Sequence, residues 1–364
     1  MDSHLGNITP YGDSLLINSE KLHRWYRDNL SGFLDAETIS KRHQHDIEIK
    51  SKGEKKEIRV PILNLEHFGE DMAIDEKQVG EEMHTIISNR RSGKIAVLAR
   101  SIKASELIEL LPYFHQKGVE VKSITRDLSP SYDWFCRQVF YNARHIADKF
   151  HIIKHLMDAC QDVRIRYRQE ELSRKRTQYE EFKRKESERK KQCKSTGEDY
   201  RPKKFVYKEK KTSNGETLLE LLARSRYLLY KFSNDWTVNQ KERADTLFES
   251  YPEIKTSYLL ACEFRKWYRK ENVGKDKMLL LSILQQWYQT VDESEISEME
   301  NFKSLVERNQ GMILNYFIKG ETNAIAECIN SKIQRFIASN QGTRDREFFY
   351  FRLNNFFSAP QIKI

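Results

Sequence analysis

The sequence offers little that could be crosslinked, exported or threaded through a membrane. Its five cysteines, Cys136, Cys160, Cys193, Cys262 and Cys328, lie far apart. No pair has the CxxC spacing of a zinc ribbon or a redox motif, so buried or free reduced thiols are expected. The first residues, MDSHLGNITPYGD, contain no basic n-region and no apolar h-region, so no secretory leader is expected. The longest apolar run, around residues 278–284, is far too short to span a bilayer. These absences predict a cytoplasmic protein without a membrane partner.

What is present is charge. Of 364 residues, 38% are hydrophobic and 32% charged, which suits a modest core under a heavily charged surface. That length allows two or three domains, or one domain with a large insertion. The formal net charge is +9, a balance that favours a polyanionic partner, nucleic acid before a membrane surface. A basic solvated surface with no partner would give the same composition.

Along the chain, residues 1–68 contain one amphipathic stretch (19–33) and a charged segment (50–59), and form an N-terminal region with room to contact DNA. From residue 69 the pattern changes. Strands are predicted over 72–79, 83–88 and 94–99, the last two joined by the polar, glycine-containing turn Asn89-Arg90-Arg91-Ser92-Gly93. A helix over 105–116 follows, then a strand over 119–125, a helix over 131–140, a short strand over 145–147 and a helix from about Asp148. Three strands, helix, strand, helix, strand is the order of a ribonuclease H-like mixed α/β sheet, although periodicity alone fits other mixed folds.

Residues 162–308 read as an insertion that is basic first and helical afterwards. The stretch 162–211 is dense in Arg, Lys and Glu, either a solvated charged helix or a surface that tracks phosphates. Helical patterns then recur over 218–230, 239–250, 257–269, 276–290 and 295–308. The last part, 309–364, holds a helix over 323–337, on which Ile325, Ile329, Ile333 and Phe336 recur at spacings of three and four and form the expected buried stripe, its margin near Ala324 and Cys328. An aromatic tail (Phe348, Phe349, Tyr350, Phe351, Phe356, Phe357) follows, read as core before base-stacking platform.

Metal-assisted phosphodiester cleavage needs carboxylates that converge from separate chain segments, because magnesium takes hard oxygen ligands. Asp75 lies on the first strand, Asp127 just past the fourth, and Glu327 on a late helix. Their surroundings carry the resemblance. Asp127-Leu128-Ser129-Pro130-Ser131-Tyr132, then Asp148-Lys149-Phe150-His151, then Thr322-Asn323-Ala324-Ile325-Ala326-Glu327 with Asn330 and Lys332, resemble the ISL-three family of bacterial insertion-sequence DDE transposases. Residues 222–236, ending on Trp236, are similar to that family's insertion between its second and third acids. The resemblance runs from about residue 70 to the C-terminus.

The resemblance implies a ribonuclease H-like catalytic core (69–161 and 309–364) interrupted by the insertion. It implies Asp75, Asp127 and Glu327 as catalytic metal ligands for Mg²⁺, with Mn²⁺ as substitute. Asp148, His151 and Asn323 would support them, and Lys203, Lys204, Lys210, Lys211, Trp236 and Lys332 would contact DNA. The substrates implied are terminal inverted repeats and target duplex, handled by a dimer or higher oligomer in the bacterial nucleoid. Two departures stand out: Ala324 replaces the family's Gly, and no zinc ribbon precedes Asp75. End recognition is therefore expected from residues before 70 or from a separate polypeptide. Blander roles stay open for each residue. Asp75 could be a surface acid, Asp127 and Asp148 helix caps, Glu327 an exposed helical acid, His151 a packed histidine and Trp236 a helix-packing tryptophan. A non-catalytic DNA-binding derivative, or a nuclease without strand transfer, are the rival functions.

Overall fold

The computed structural model describes residues 13–14, 16–41, 44–51, 54–207, 210–212, 215–339 and 345–358. The first twelve residues, on which the expectation of no leader rests, lie outside this set. The chain divides into two compact units: Met1–His151 with Gly311–Ile364, and Ile152–Gln310.

In the first unit, β1 (Ile47–Ser51) and β2 (Glu54–Ile58) form a separate hairpin that the sequence reading took only as a charged segment. A six-stranded sheet then uses β3 (Ile62–Leu63), β4 (Asp71–Val79), β5 (Glu82–Asn89), β6 (Ile95–Ala99), β7 (Ser123–Arg126) and β8 (Arg144–Ala147) in the order β3-β6-β5-β4-β7-β8. β5 runs antiparallel to both of its neighbours, β4 and β6, whereas β7 and β8 run parallel to β4. The turn after β5 closes through Gly93, at φ 68°, a conformation glycine adopts without a Cβ penalty.

All five residues of β6 are buried, as expected for a strand covered on both faces. One face packs Met72, Ile74 and Val97 against Leu107, Leu110, Tyr132, Phe135 and Val139. The other packs Val79, Ile86 and Leu98 against Ile329, Ile333 and Phe336 of the helix Ala324–Ser339 and against Phe349, Leu353 and Phe357 of the helix Arg346–Ser358. The aromatic tail is thus core. Phe348 also receives Leu22, Tyr26 and Phe33 from the N-terminal stretch.

The second unit is helical. Beyond Glu171 the helix Lys149–Thr196 is largely exposed. The returning segment lies along it: Glu186 accepts hydrogen bonds from the Tyr200 hydroxyl (2.9 Å) and the Lys203 amide (3.1 Å), and the Phe205 ring sits 5.1 Å from Tyr179. The helices Val238–Ser250, Pro252–Trp267, Lys277–Ser294 and Ser297–Arg308 complete it. Trp267 and Trp287 bury their rings there and donate to the carbonyls of Leu280 and Leu260.

Three expected boundaries differ. The strand expected over 119–125 begins only at Ser123, because the preceding helix runs to Glu120. The helix expected over 218–230 stops at Arg224. Its continuation is held in turns by Tyr258, whose hydroxyl donates to the Lys231 carbonyl (3.1 Å). The expected buried stripe Ile325, Ile329, Ile333 and Phe336 is instead Ala326, Ile329, Ile333 and Phe336, with Ile325 exposed. The five cysteines are free thiols. Among the described residues no helix is long and apolar enough to cross a membrane.

Candidate active site

Strand register brings two of the expected acids side by side. Ala73 on β4 pairs with Thr125 on β7, so two residues further on Asp75 stands beside Asp127. Arg126 pairs with Ala147 on β8, which places Asp148 next in the row. Asp127 and Asp148 thus follow the carboxyl ends of β7 and β8, where open α/β sheets bind their ligands, and Asp75, in the middle of the longer β4, stands level with them. Side chains alternate along a strand, so Ala73 and Asp75 share the face opposite Met72 and Ile74, the face on which the helix Ala324–Ser339 lies.

That helix is tied to the acids at two points. Asn330 Nδ2 donates to Asp75 Oδ2 at 2.6 Å. Asn323, fully buried, accepts from the Thr125 hydroxyl (2.9 Å) and donates to Asp148 Oδ2 (3.4 Å). The approach is fixed by Glu321, which pairs with Arg90 (3.2 Å) and with Arg144. Burial of the small Ala326 lets the helix lie close to the sheet.

Helical residues advance about 100° each, so Glu327 stands about 40° from Asn323 and about 60° from Asn330, to the same side of both. The margin of the buried stripe, expected near Ala324 and Cys328, is in fact occupied by Asn323 and Asn330. Ala324 and Cys328 are exposed, as is Glu327 itself. Among the described residues no three His, Cys, Asp or Glu side chains converge closely enough to hold an ion as they stand.

The electrostatics reflect crowding of negative charge. Burial pushes the Asp75 carboxyl above the ordinary range; the Glu76 amide (2.8 Å) and His151 oppose this, and the charges of Asp148 and Asp127 add to it. Glu76 is raised by burial and by Asp127. The His151 imidazole, with Nδ1 at 2.7 Å from Asp148 Oδ2, is raised chiefly by that hydrogen bond. Asp127 and Asp148 also cap: Oδ1 of each accepts the amide of the second residue on, Ser129 (2.9 Å) and Phe150 (3.0 Å). In Asp148 the other carboxylate oxygen takes His151 and Asn323, whereas in Asp127 the second oxygen accepts no hydrogen bond among the described residues. Tyr132 is a core residue, its hydroxyl 2.8 Å from Thr85 Oγ1.

The remaining expected contacts lie elsewhere on the chain. Lys332 is half-buried on the Glu327 helix, and Lys203, Lys204, Lys210 and Lys211 are exposed. Trp236 stacks on Tyr258 (5.3 Å, 28°) and donates to the Leu228 carbonyl, the packing role rather than a free stacking platform. Sequence reasoning quoted Asn330 only as part of a motif and passed over Thr125. Their signal was available in the spacing, since Asn323, Glu327 and Asn330 share one helical face.

A comparison with curated proteins gives no match. Among solved structures, a strand transfer complex of the Drosophila P element transposase is similar over 79% of this chain and 76% of that one, at 12% identity and a TM-score of 0.36, too low to bear on function. The family described as "Transposase" matches residues 72–353, well over half of the sequence, with Asp75, Asp127 and the Glu327 helix inside the match. The chain therefore belongs to the ISL-three family of transposases.

Proposed function

We propose that this transposase cuts DNA at the ends of its element by metal-assisted hydrolysis and joins the freed 3′ ends to target DNA. Asp75, Asp127 and Glu327 would be the metal-binding carboxylates. The observation that carries the reading is the row of Asp75 and Asp127 on adjacent parallel strands, each two residues past the Ala73–Thr125 pair, with the Glu327 helix fastened to it through Asn330 and Asn323. The order β6-β5-β4-β7-β8, antiparallel then parallel, supports a ribonuclease H-like core.

The donor set suits a hard divalent cation. Asp75, Asp127 and Glu327 offer only oxygen, and among the described residues none of the three carboxylates is paired with a lysine or arginine. Asp75 is raised first by burial and then by the Asp148 and Asp127 charges, and a bound cation would favour its charged form. When bound, Mg²⁺ would supply an activated water and stabilise charge on the attacking and leaving oxygens. The chain does the rest. Asn330 holds Asp75 by one oxygen. Asn323 and the Phe150 amide hold Asp148, which fixes His151 through Nδ1 and leaves Nε2 for a phosphate oxygen. Bringing Glu327 to the two aspartates asks for a rotation of its exposed side chain rather than of its helix. Lys203, Lys204, Lys210 and Lys211 would hold duplex phosphates, and two element ends imply at least a dimer on DNA.

The test uses Asp75→Asn and Asp127→Asn proteins with a duplex ending in the element's inverted repeat and a labelled target. Cleavage and joining should disappear while anisotropy shows DNA binding retained. Cleavage near the wild-type rate in either variant would overturn the assignment.

A further inference from the structure

In the helical unit, two arginines share one aromatic ring. The guanidinium carbon of Arg265 lies 4.0 Å from the Phe232 ring centroid, and that of Arg269 lies 4.8 Å from the same point. Two like charges are therefore held within about 9 Å of each other, a separation at which they repel. Some arginines of this unit are neutralised: Arg224 and Arg243 meet on Glu216, and Arg166 bridges Glu253 and Glu298. Arg265 and Arg269 have no acidic partner among the described residues, and Nη1 of Arg265 is buried without a hydrogen-bond acceptor. Such a pair is balanced only when an anion joins it.

The platform is set in advance. Phe232 sits in the turns after the helix Leu218–Arg224, pinned just before the ring by the Tyr258 hydroxyl on the Lys231 carbonyl. Trp236 pins the same turns, stacked on Tyr258 and donating to the Leu228 carbonyl. Arg265 is in the last turn of the helix Pro252–Trp267 and Arg269 just beyond it. A helix C-terminus favours a cation, but that field does not by itself gather two of them at one ring. Stacking fixes a guanidinium plane and leaves its edge donors in that plane, where they match the oxygens of a phosphate. Lys266 and Lys270, next to Arg265 and Arg269 in the sequence, and Lys231, next to Phe232, are exposed.

We propose that Arg265 and Arg269, seated on Phe232, form a clamp for one backbone phosphate of duplex DNA. The proposal deepens the reading of this chain as a DNA-acting transposase and rests on it. Duplex is the chosen source of the phosphate because exposed lysines stand next to Phe232, Arg265 and Arg269 in the sequence, a density of charge that suits a run of phosphates rather than one ion.

The experiment measures affinity for a short random-sequence duplex against KCl concentration, using the full chain. Arg265→Met with Arg269→Met should lower the slope of log affinity against log salt by about 0.9, the value of one lost phosphate contact. Arg265→Lys with Arg269→Lys should keep the slope, since charge remains, while affinity falls several-fold with the loss of the planar fork. An unchanged slope in the methionine variant overturns the clamp, whether or not its melting temperature drops; a drop alone would mean that the pair only serves the helix end. A fall of about 1.8 would mean two phosphates held separately and would also overturn it. Inorganic phosphate at millimolar concentration is the second probe. If it raises the melting temperature of wild type but not of the methionine variant while the DNA slope is unchanged, the site takes a small anion and the duplex assignment fails. Absence of duplex binding by wild type would instead bring down the transposase reading itself.

Discussion

Asn330→Ala removes the side-chain amide that reaches Asp75 Oδ2 at 2.6 Å across 255 positions of sequence. A hydrogen bond to a charged group contributes about 1.5–3 kcal/mol, which at 1.36 kcal/mol per tenfold corresponds to roughly 10- to 100-fold. Asp75 already sits above the ordinary carboxylate range, first through burial and then through Asp148 and Asp127. Losing a donor to its charged form pushes it further up. The Mg²⁺ concentration for half-maximal cleavage should therefore rise roughly 10- to 100-fold, as for other residues that orient a metal ligand. The acid limb of the rate profile should move to higher pH. Stability should change little, because Asn330 Oδ1 is buried without a partner and its loss removes an unsatisfied group. Asn330→Asp should be worse than Ala, since it sets a second carboxylate against Asp75. The assay is nicking of a labelled end duplex over Mg²⁺ and pH series, with thermal melts as the check on folding. A folded Asn330→Ala protein with an unmoved Mg²⁺ midpoint and acid limb would refute the role of this contact.

Glu327→Gln should abolish cleavage with no loss of melting temperature, because the side chain is exposed; retained cleavage would move the third ligand to Glu76 or Asp148. Alanine at Lys203, Lys204, Lys210 and Lys211 together should weaken binding to all duplexes alike, lowering the salt slope by about 0.9 for each residue that meets a phosphate. An unchanged slope would make this a solvated face. His84 is buried, with Nε2 2.7 Å from the Tyr350 hydroxyl, and burial lowers its pKa to about 4. Its folded value lies below its unfolded one, so its contribution is present above the unfolded pKa and fades as pH falls from 6.5 toward 4. The size is about 3 kcal/mol. His84→Gln should flatten the acid side of the melting-temperature profile, and an acid slope equal to wild type would count against the assignment.

Sequence alone determined five of the six strands of the sheet and the family, and missed the two-residue β3. The strand over 94–99 is legible as a short continuous apolar run, as a strand covered on both faces requires. The Asn89–Gly93 turn closes where glycine permits positive φ. The motif around Asp127 was legible because each member has local work: Asp127 caps the turn, Pro130 starts the helix and Tyr132 enters the core. Tertiary structure decided what spacing could not. Parallel pairing of β4 with β7 is a contact between residues about fifty positions apart, and only that register sets Asp75 beside Asp127. The rotation of the Glu327 helix was misjudged from periodicity by one residue, because Ile325 is more apolar than Ala326. Two buried asparagine contacts, on Thr125 and on Asp75, fix that rotation, and a polar side chain satisfied only by a distant partner leaves no periodic trace. The pairing of Arg265 with Arg269 on Phe232 is of the same kind. Each arginine is unremarkable in the sequence, and only the folded turn brings both to one ring.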